Sequence, residues 1–273
     1  MQCVVVPIYK EFTFLSDQER VSLSQLYRVL GEFSIFFICP ENIAIESYIE
    51  NAKAFNVKPQ KAVFAKHYFE SISGYNSLLL SGEFYQRFEE FQFMLIYQPD
   101  AYVFSNEFEF WCKKGYDYIG APWFEGWTHP FSTNIIGVGN GGFSLRNPKK
   151  YVLLLKRVKQ LKRLRLFCAR FDTKKFSFFL FLVKRLRFYF KLNSTDHFYY
   201  LDEDAFVNED VFWGRNIGTL FSDFSVAPVE EAIRFSFEAN PSYLFTRNND
   251  QLPFGCHAWE KHEPEFWQRF ISN

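Results

Sequence analysis

The sequence predicts an α/β fold with a parallel sheet flanked by helices. Residues 3–8 (CVVVPI) form a short, continuous, β-branched run, which is typical of a strand buried on both faces. Ser16 and Glu19 fit a capping box, and apolar residues follow at helical spacing until Gly31. Residues 33–38 (FSIFFI) predict a second strand. Strand, helix and strand in this order indicate a right-handed βαβ unit.

The same alternation continues along the chain, without an internal repeat or a low-complexity linker. We therefore expect one domain over residues 1–273, with a basic, helical insertion at residues 149–200. A tract rich in glycine and aromatic residues runs from Pro122 to Phe143, and the last 40 or so residues are expected to be irregular before a closing helix. Further strands are predicted at 61–64, 92–97 and 116–120, and further helices at 42–55, 75–87, 106–114, about 203–215 and about 263–271.

Charge is distributed unevenly, although the net charge is zero. Residues 149–191 hold 15 Lys and Arg and a single acid, Asp172. Basic residues interleaved with Leu and Phe suit an anionic membrane surface, which is one interpretation of this segment. A solvated helical hairpin without a partner is another. Nucleic-acid binding is a third, which we do not adopt because no RNA- or DNA-binding motif accompanies the charge.

The cysteines and the apolar runs indicate in which cellular compartment the protein is expected. Five cysteines are scattered without a C-x-x-C pair, which favours a reducing cytoplasm over a disulfide framework or a zinc site. The N-terminal run MQCVVVPIY lacks a basic region and a cleavage site, so we expect a strand rather than a signal peptide. The run at 176–183 is too short to span a bilayer. We expect a cytoplasmic protein, peripheral on the inner face of the membrane if the basic segment binds lipid.

An acid follows the predicted strand at 92–97, in the run Gln98-Pro99-Asp100-Ala101. Ligands of open α/β sheets bind at the carboxyl ends of the strands. A carboxylate placed there can hold a divalent cation that neutralises a diphosphate. The alternative is that Asp100 only caps the following turn.

The run GVGNGGFSLR, from Gly137 to Arg146, contains four glycines in six residues. Such a run indicates either backbone conformations that side chains forbid or a close approach to a ligand. It is neither a P-loop nor a dinucleotide fingerprint. We interpret it as a loop that covers a substrate, with an ordinary glycine hairpin as the alternative.

Two later motifs contain groups that can act on a substrate. Glu209 and Asp210 begin a short apolar helix, where acids are favoured by the helix dipole alone. A carboxylate there can also serve as a general base towards an acceptor hydroxyl, with Trp213 beside it to stack on a sugar. His257 lies in the run GCHAW, and although a lone histidine is more often structural, imidazole is a usable metal ligand.

Taken in order, these motifs resemble a bacterial family catalogued as a domain of unknown function and classed with the GT-A glycosyltransferases of surface polysaccharide clusters. The motifs are PIY after the first strand, Q-x-D-A, Y-I-G-A-P-W, G-N-G-G-F-S-L-R, N-E-D-V-F and G-x-H-A-W. The run E-D-V-F-x-G is also similar to the E-D-V-Y-x-G element of inverting β-1,3-glycosyltransferases and the fringe enzymes. The resemblance implies a GT-A-like mixed sheet flanked by helices, and it covers nearly the whole chain except about residues 150–200.

The resemblance also implies roles for individual residues. The base is Asp210, supported by Glu209, and Mn²⁺ or Mg²⁺ is held by Asp100 and His257. Gln98 stands where such enzymes usually have the first Asp of D-x-D, which puts strict metal dependence in doubt. The expected donor-binding residues are Pro7, Ile8, Tyr9, Ser73, Tyr75, Asn76, Gln98, Asn140, Gly141 and Gly142, and the expected acceptor-binding residues are Trp123 and Trp213.

The activity implied is transfer of a hexose from a nucleotide-sugar donor, a UDP-hexose in the simplest case, to a glycan or lipid-linked glycan acceptor. The mechanism implied is inverting, with the loop Gly137–Gly142 closing over both substrates. Two alternatives remain open: a non-catalytic carbohydrate-binding protein and a sugar nucleotidyltransferase. The second usually needs a glycine- and base-rich loop after the first strand, which Pro7-Ile8-Tyr9-Lys10 does not provide.

Overall fold

The computed structural model describes residues 1–127, 129–170 and 208–271. The strands in these ranges form a central sheet of six strands, a second sheet of three and a two-stranded hairpin. In chain order they are β1 (Gln2–Pro7), β2 (Ser34–Cys39), β3 (Gln60–Val63), β4 (Phe93–Tyr97), β5 (Ala101–Val103), β6 (Tyr118–Ile119), β7 (Pro122–Phe124), β8 (Ile135–Val138), β9 (Phe143–Arg146), β10 (Ser236–Phe237) and β11 (Gly255–His257).

The central sheet is mixed and has the order β3-β2-β1-β4-β9-β6. Strands β1 to β4 are parallel, whereas β9 runs antiparallel to both β4 and β6. The chain leaves β1 towards β2 and β3 and then returns to β4 on the other side. A crevice forms at the carboxyl ends of the strands where the order reverses in this way. The predicted α/β mixed sheet is therefore confirmed, and its switch point lies between β1 and β4.

Helices cover both faces of the sheet. Alternate residues of β1 belong to two apolar clusters on opposite faces of the sheet. Val4 and Val6 pack in the cluster that includes the helices at residues 17–30 and 108–114, and Cys3 and Val5 pack in the other cluster. In chain order the helices are α1 (Asp17–Leu30), α2 (Glu46–Lys53), α3 (Ile72–Leu79), α4 (Gly82–Arg87), α5 (Phe108–Lys114), α6 (Pro148–Arg170), α7 (Glu209–Val211), α8 (Ile217–Leu220), α9 (Val229–Phe235), α10 (Pro241–Arg247) and α11 (Pro264–Trp267), with a π-helical turn at Phe212–Asn216.

The first βαβ unit forms as its sequence predicts. Ser16 accepts a hydrogen bond from the Glu19 amide (3.1 Å), and the Glu19 carboxylate accepts one from the Ser16 amide (2.7 Å). This capping box starts α1, and Gly31 ends it. Two later predictions are wrong in detail. The helix predicted at 75–87 is two helices because Ser81 caps α4. The tail contains β10, α10 and β11 where irregular chain was expected, whereas α11 lies where the closing helix was predicted.

The first part of the predicted insertion belongs to the core. Tyr151, Val152 and Leu154 of α6 are buried in the apolar cluster that also contains α3 and α4. Lys150 and Arg157 each pair with Asp223, at 3.1 and 3.0 Å. The rest of the predicted insertion, from residue 171 to 200, lies outside the described residues. Among the helices that the structure describes, none is long and apolar enough to cross a bilayer.

Candidate active site

The three-stranded sheet brings Asp100 and His257 together. Its order is β10-β11-β5, with β10 parallel and β5 antiparallel to β11. The register pairs His257 with Ala101, so the end of β11 lies beside the start of β5. Asp100 directly precedes β5, and its carbonyl accepts a hydrogen bond from the Ala258 amide (3.0 Å). Backbone pairing therefore fixes the two residues predicted to bind metal side by side.

The imidazole of His257 is held between three side chains. Its Nε2 lies 3.0 Å from Gln98 Oε1 and 3.1 Å from Asp100 Oδ1. Its Nδ1 lies 3.4 Å from Glu238 Oε2. Burial lowers the pKa of His257, but the carboxylates of Asp100 and Glu238 outweigh it and raise the pKa well above the usual range. Burial likewise raises the pKa of Asp100, and the adjacent imidazole lowers it below the usual value.

Glu238 is a member of this cluster that sequence reasoning missed. It directly follows β10, and because β10 and β11 are parallel their carboxyl ends meet at the same edge of the sheet. Its sequence context, FEAN, carries no recognisable signal. Only the pairing of two very short strands places it next to His257.

Three atoms that can bind a metal ion lie close together: Gln98 Oε1, Asp100 Oδ1 and His257 Nε2. Within the described ranges, no group of three or more His, Cys, Asp and Glu side chains is arranged to hold a metal ion. One carboxylate, one amide oxygen and one imidazole do fit a divalent cation whose other positions are taken by substrate oxygens and water. Gln98, Asp100 and His257 are therefore the residues that would hold the expected Mn²⁺ or Mg²⁺.

A cavity of about 360 Å³ contains most of the other predicted residues. Asp210 and Glu209 line it together with His257 and Gln98, so the acidic pair and the imidazole share one cavity. Asp100 lines a second hollow of about 320 Å³, together with Lys10, Glu19, Glu260 and Lys261. His257 of the cavity and Asp100 of the hollow are in contact, at 3.1 Å. Predicted residues that also line the cavity are Tyr75, Asn76, Trp123, Asn140, Gly141 and Gly142.

The glycines at 139, 141 and 142 are in close contact with side chains of the site. A Cβ on Gly142 would overlap the imidazole of His257, and one on Gly141 would overlap the carboxylate of Glu209. A Cβ on Gly139 would overlap the ring of Trp123. The left-handed residue of the run is Asn140 (φ 69°), whose side chain accepts a hydrogen bond from the Gly142 amide (3.3 Å). These glycines are therefore required by close approach of functional side chains.

Glu209 is paired with a buried arginine, and this pairing indicates how it could support Asp210. Both carboxylate oxygens accept from Arg146, at 2.7 and 2.8 Å. The guanidinium also donates to Tyr85 Oη (2.9 Å) and Ser144 Oγ (3.0 Å), and it is completely buried. A bidentate ion pair of this kind fixes the relative position of its two side chains. Glu209 anchors the segment that carries Asp210.

Asn76 supports the same segment. Its Oδ1 accepts a hydrogen bond from the Glu209 amide (2.9 Å), and its Nδ2 lies 3.4 Å from Asn208 Oδ1. The side chain therefore caps the start of α7, although Asn76 was predicted to bind the donor. The amide oxygen is already used, so its contribution to the site is to position the acidic pair.

The carboxylate of Asp210 lines the cavity and has a raised pKa. It is partly exposed at the cavity, and its Oδ1 accepts a hydrogen bond from the Val211 amide (2.8 Å). Burial raises its pKa from 3.8 to about 7, and the charges of Glu209 and Glu238 act in the same direction. The Val211 amide and Arg146 act in the opposite direction. A carboxylate with a pKa near neutrality is suited to take a proton at physiological pH.

Several predicted residues do not line the cavity. Trp213 is completely buried, and its Nε1 donates to the Leu79 carbonyl (3.2 Å), so the prediction that it stacks on a sugar is wrong. Pro7 and Ile8 are buried beneath the carboxyl end of β1, and Ser73 is exposed on α3 away from the cavity. Tyr9 is partly exposed, and its ring packs edge-to-face on Tyr75 (5.6 Å). Direct donor contact by Pro7, Ile8 and Ser73 is therefore not supported.

Comparison with solved structures defines the class of fold. Mouse xyloside xylosyltransferase 1 superposes with a TM-score of 0.50 at 12% identity, over 94% of this chain and 97% of that one. An active-site mutant of LgtC gives 0.50 at 16% identity, over 100% and 91%. GlyE of Streptococcus pneumoniae TIGR4 gives 0.47 at 12% identity, and this chain spans 57% of its length. The fold is that of the GT-A glycosyltransferases.

The sequence itself adds the family. The chain belongs to the family described as protein of unknown function DUF5672, whose model matches residues 58–257. No curated protein matches the chain. The family description carries no activity, so the function has to be argued from the site.

Proposed function

We propose that the chain is a glycosyltransferase that moves a sugar from a nucleotide-sugar donor to a hydroxyl of a glycan. The observation that carries the proposal is a cavity of a GT-A fold that is lined by both His257 and Asp210. His257 contacts Gln98 and Asp100, and Asp210 has a pKa of about 7. A volume of about 360 Å³, with the second hollow that Asp100 lines, is in the range of small-molecule sites.

The donor's diphosphate is expected in the hollow that contains Asp100. Lys10 and Lys261 line this hollow together with the carboxylates of Glu19, Asp100 and Glu260, and Lys10 is paired with Glu19 at 2.7 Å. A diphosphate would therefore need a bound cation to offset the acidic lining. Gln98, Asp100 and His257 would hold Mn²⁺ or Mg²⁺ there. Such an ion, when bound, offsets the negative charge that develops on the departing diphosphate.

The chain's own residues supply the proton transfer. The Asp210 carboxylate takes the proton of the acceptor hydroxyl, whose oxygen forms the new bond to the anomeric carbon. The bond between that carbon and the diphosphate oxygen breaks, and the diphosphate leaves with the electron pair. Attack opposite the leaving group inverts the anomeric centre. Arg146 and Asn76 keep Asp210 in place through Glu209.

A glycan, or a glycan linked to lipid, is the acceptor class that we propose, with a UDP-hexose as donor. Association with an anionic membrane surface would depend on residues 149–191, of which only the part up to residue 170 is described.

Release of nucleoside diphosphate tests the proposal. The wild-type protein is incubated with UDP-hexoses, Mn²⁺ and simple glycosides, and the anomeric configuration of the product is read by NMR. We expect Asp210→Asn to bind donor and to lose transfer by about 100-fold or more. The matched control is Asp250→Asn, which removes an exposed carboxylate that does not line the cavity.

Three results would contradict parts of this proposal. Wild-type transfer by Asp210→Asn refutes the base, and a retained anomeric configuration refutes inversion. Release of pyrophosphate from UTP and a sugar phosphate, without transfer from UDP-sugars, would make the protein a nucleotidyltransferase.

A further inference from the structure

We propose that the exposed face of the Trp127 indole is the surface on which the acceptor sugar binds, with its C–H face stacked on the ring. This inference rests on the proposed transferase function and names the acceptor side of the same site. Trp127 lines the cavity that also contains Asp210 and His257. It was not among the residues predicted from the sequence.

Two tryptophans lie at this end of the cavity, and they differ in what they offer a ligand. Trp123 is 8% exposed, and its ring is packed so closely on Gly139 that a Cβ there would overlap it. Trp127 is 36% exposed and lies against Trp123, with ring centroids 4.9 Å apart. Trp123 is therefore a support, and Trp127 carries the accessible ring face.

The backbone at Trp127 adopts a conformation that a bulky residue rarely takes. Its φ is +54°, after Gly126 at +92°. A non-glycine residue in the left-handed region costs free energy and persists where the surroundings enforce it, commonly at ligand sites. The turn therefore holds Trp127 in an unfavourable backbone conformation, in which its apolar ring is partly exposed at the cavity.

The turn is locked by its own hydrogen bonds. The Trp127 amide donates to the Phe124 carbonyl (2.9 Å). The Glu125 carboxylate accepts from Ser132 Oγ (2.8 Å) and Asn134 Nδ2 (2.9 Å), which ties the two sides of the β7–β8 connection together. The indole is thus positioned before any ligand arrives, which lowers the entropy cost of binding.

The chemistry of this end of the cavity selects a pyranose. A pyranose has an apolar face of C–H groups and a rim of hydroxyls, so it needs a flat apolar surface beside polar groups. Trp127 provides the surface, and Asp210 and Asn208 provide polar groups that line the same cavity. A sugar stacked on Trp127 would therefore occupy the cavity that contains Asp210.

Two reactions separate the acceptor subsite from the donor chemistry. The first is hydrolysis of UDP-galactose or UDP-glucose, in which water is the acceptor, and the second is transfer to methyl β-D-galactoside or methyl β-D-glucoside. We expect Trp127→Ala to hydrolyse donor within about 2-fold of wild type and to raise the acceptor KM by about 10- to 100-fold, the range for losing one apolar contact surface. Trp127→Phe should recover much of the loss. Phe110→Ala, which removes a ring 42% exposed on α5, is the matched control and should change neither reaction.

Direct binding tests the ring even if the donor chemistry fails. Methyl glycosides are titrated into donor-free protein and followed by tryptophan fluorescence, with octyl β-D-galactoside as a second probe. If wild type binds the methyl glycosides and Trp127→Ala binds them more weakly, the proposal is supported. The octyl gain is the extra affinity for the octyl glycoside over the methyl glycoside. If Trp127→Ala keeps this gain, the alkyl chain binds away from Trp127. The proposal is overturned if wild type binds no methyl glycoside, if Trp127→Ala keeps the wild-type acceptor affinity, or if only the octyl gain depends on the ring. Absence of both hydrolysis and transfer in wild type refutes the transferase function separately.

Discussion

Replacement of Asp210 by asparagine should stabilise the fold while it removes the base. The carboxyl of Asp210 has a pKa of about 7 in the folded protein, against an ordinary value of 3.8. Between these values the folded protein holds a proton that the unfolded chain has released. Stability of the wild type therefore falls as pH rises from about 4 to about 7, and the loss is complete above the folded pKa. Asparagine does not ionise and escapes this loss.

The size of the effect follows from the pKa difference. About 3 pKa units correspond to about 4 kcal/mol at about 1.4 kcal/mol for each unit. Asp210 is partly exposed, so solvent screening reduces the gain that we expect to about 1–3 kcal/mol at alkaline pH. Asparagine keeps an oxygen for the Val211 amide, which now bonds to Oδ1 (2.8 Å). The substitution thus removes charge with little change in shape.

Urea unfolding of both proteins at about pH 5 and about pH 8.5 measures this difference. The advantage of Asp210→Asn should grow by at least about 1 kcal/mol between the two conditions. Asp250→Asn is the control, because its carboxylate is exposed and outside the cavity. An advantage that is equal at both pH values, or a less stable Asp210→Asn at alkaline pH, would refute the environment that we assign to Asp210.

Three further predictions concern the groups around Asp210 and the histidine. Glu209→Gln should lower the free energy of unfolding by about 3–5 kcal/mol, because it leaves the buried Arg146 without its counter-charge, and urea unfolding at neutral pH measures this. Gly142→Ala should reduce donor hydrolysis by about 10-fold or more, since its Cβ must displace the imidazole, whereas Gly137→Ala, with the nearest atom of the Trp123 ring at 3.5 Å, should not. EDTA should reduce the rise in Tm that a UDP-sugar gives wild type, and Asp100→Asn should show no such dependence on Mn²⁺.

Local signals predicted the start of the fold and part of the site. The capping box at Ser16 and the β-branched run of β1 depend only on residues that are close in sequence, so both could be predicted. The position of Asp100 after β4 could be read because strand ends face the crevice. Two-residue strands such as β10 have no periodicity to detect, which is why the tail was expected to be irregular.

Long-range pairing decided the rest. Glu238 reaches His257 only through the β10–β11 ladder, and Arg146 reaches Glu209 across 63 residues of chain. Trp213 was misjudged because the rings that bury it, those of Tyr85, Tyr151 and Phe224, come from other parts of the chain. The glycine run gave a correct signal of close approach, but the side chains approached are the protein's own.

The residues around the cavity are held in place by two different kinds of interaction. Asp100 and His257 are fixed by backbone hydrogen bonds between β5 and β11. Asp210 is fixed by side chains, through Asn76 and the Arg146–Glu209 pair. A ladder of backbone bonds moves only if strands separate, whereas the side chain of Asp210, whose Oδ1 accepts from the Val211 amide (2.8 Å), can change rotamer while Arg146 holds the segment. Adjustment to a ligand is therefore expected in the side chain of Asp210, with the backbone of both segments unchanged.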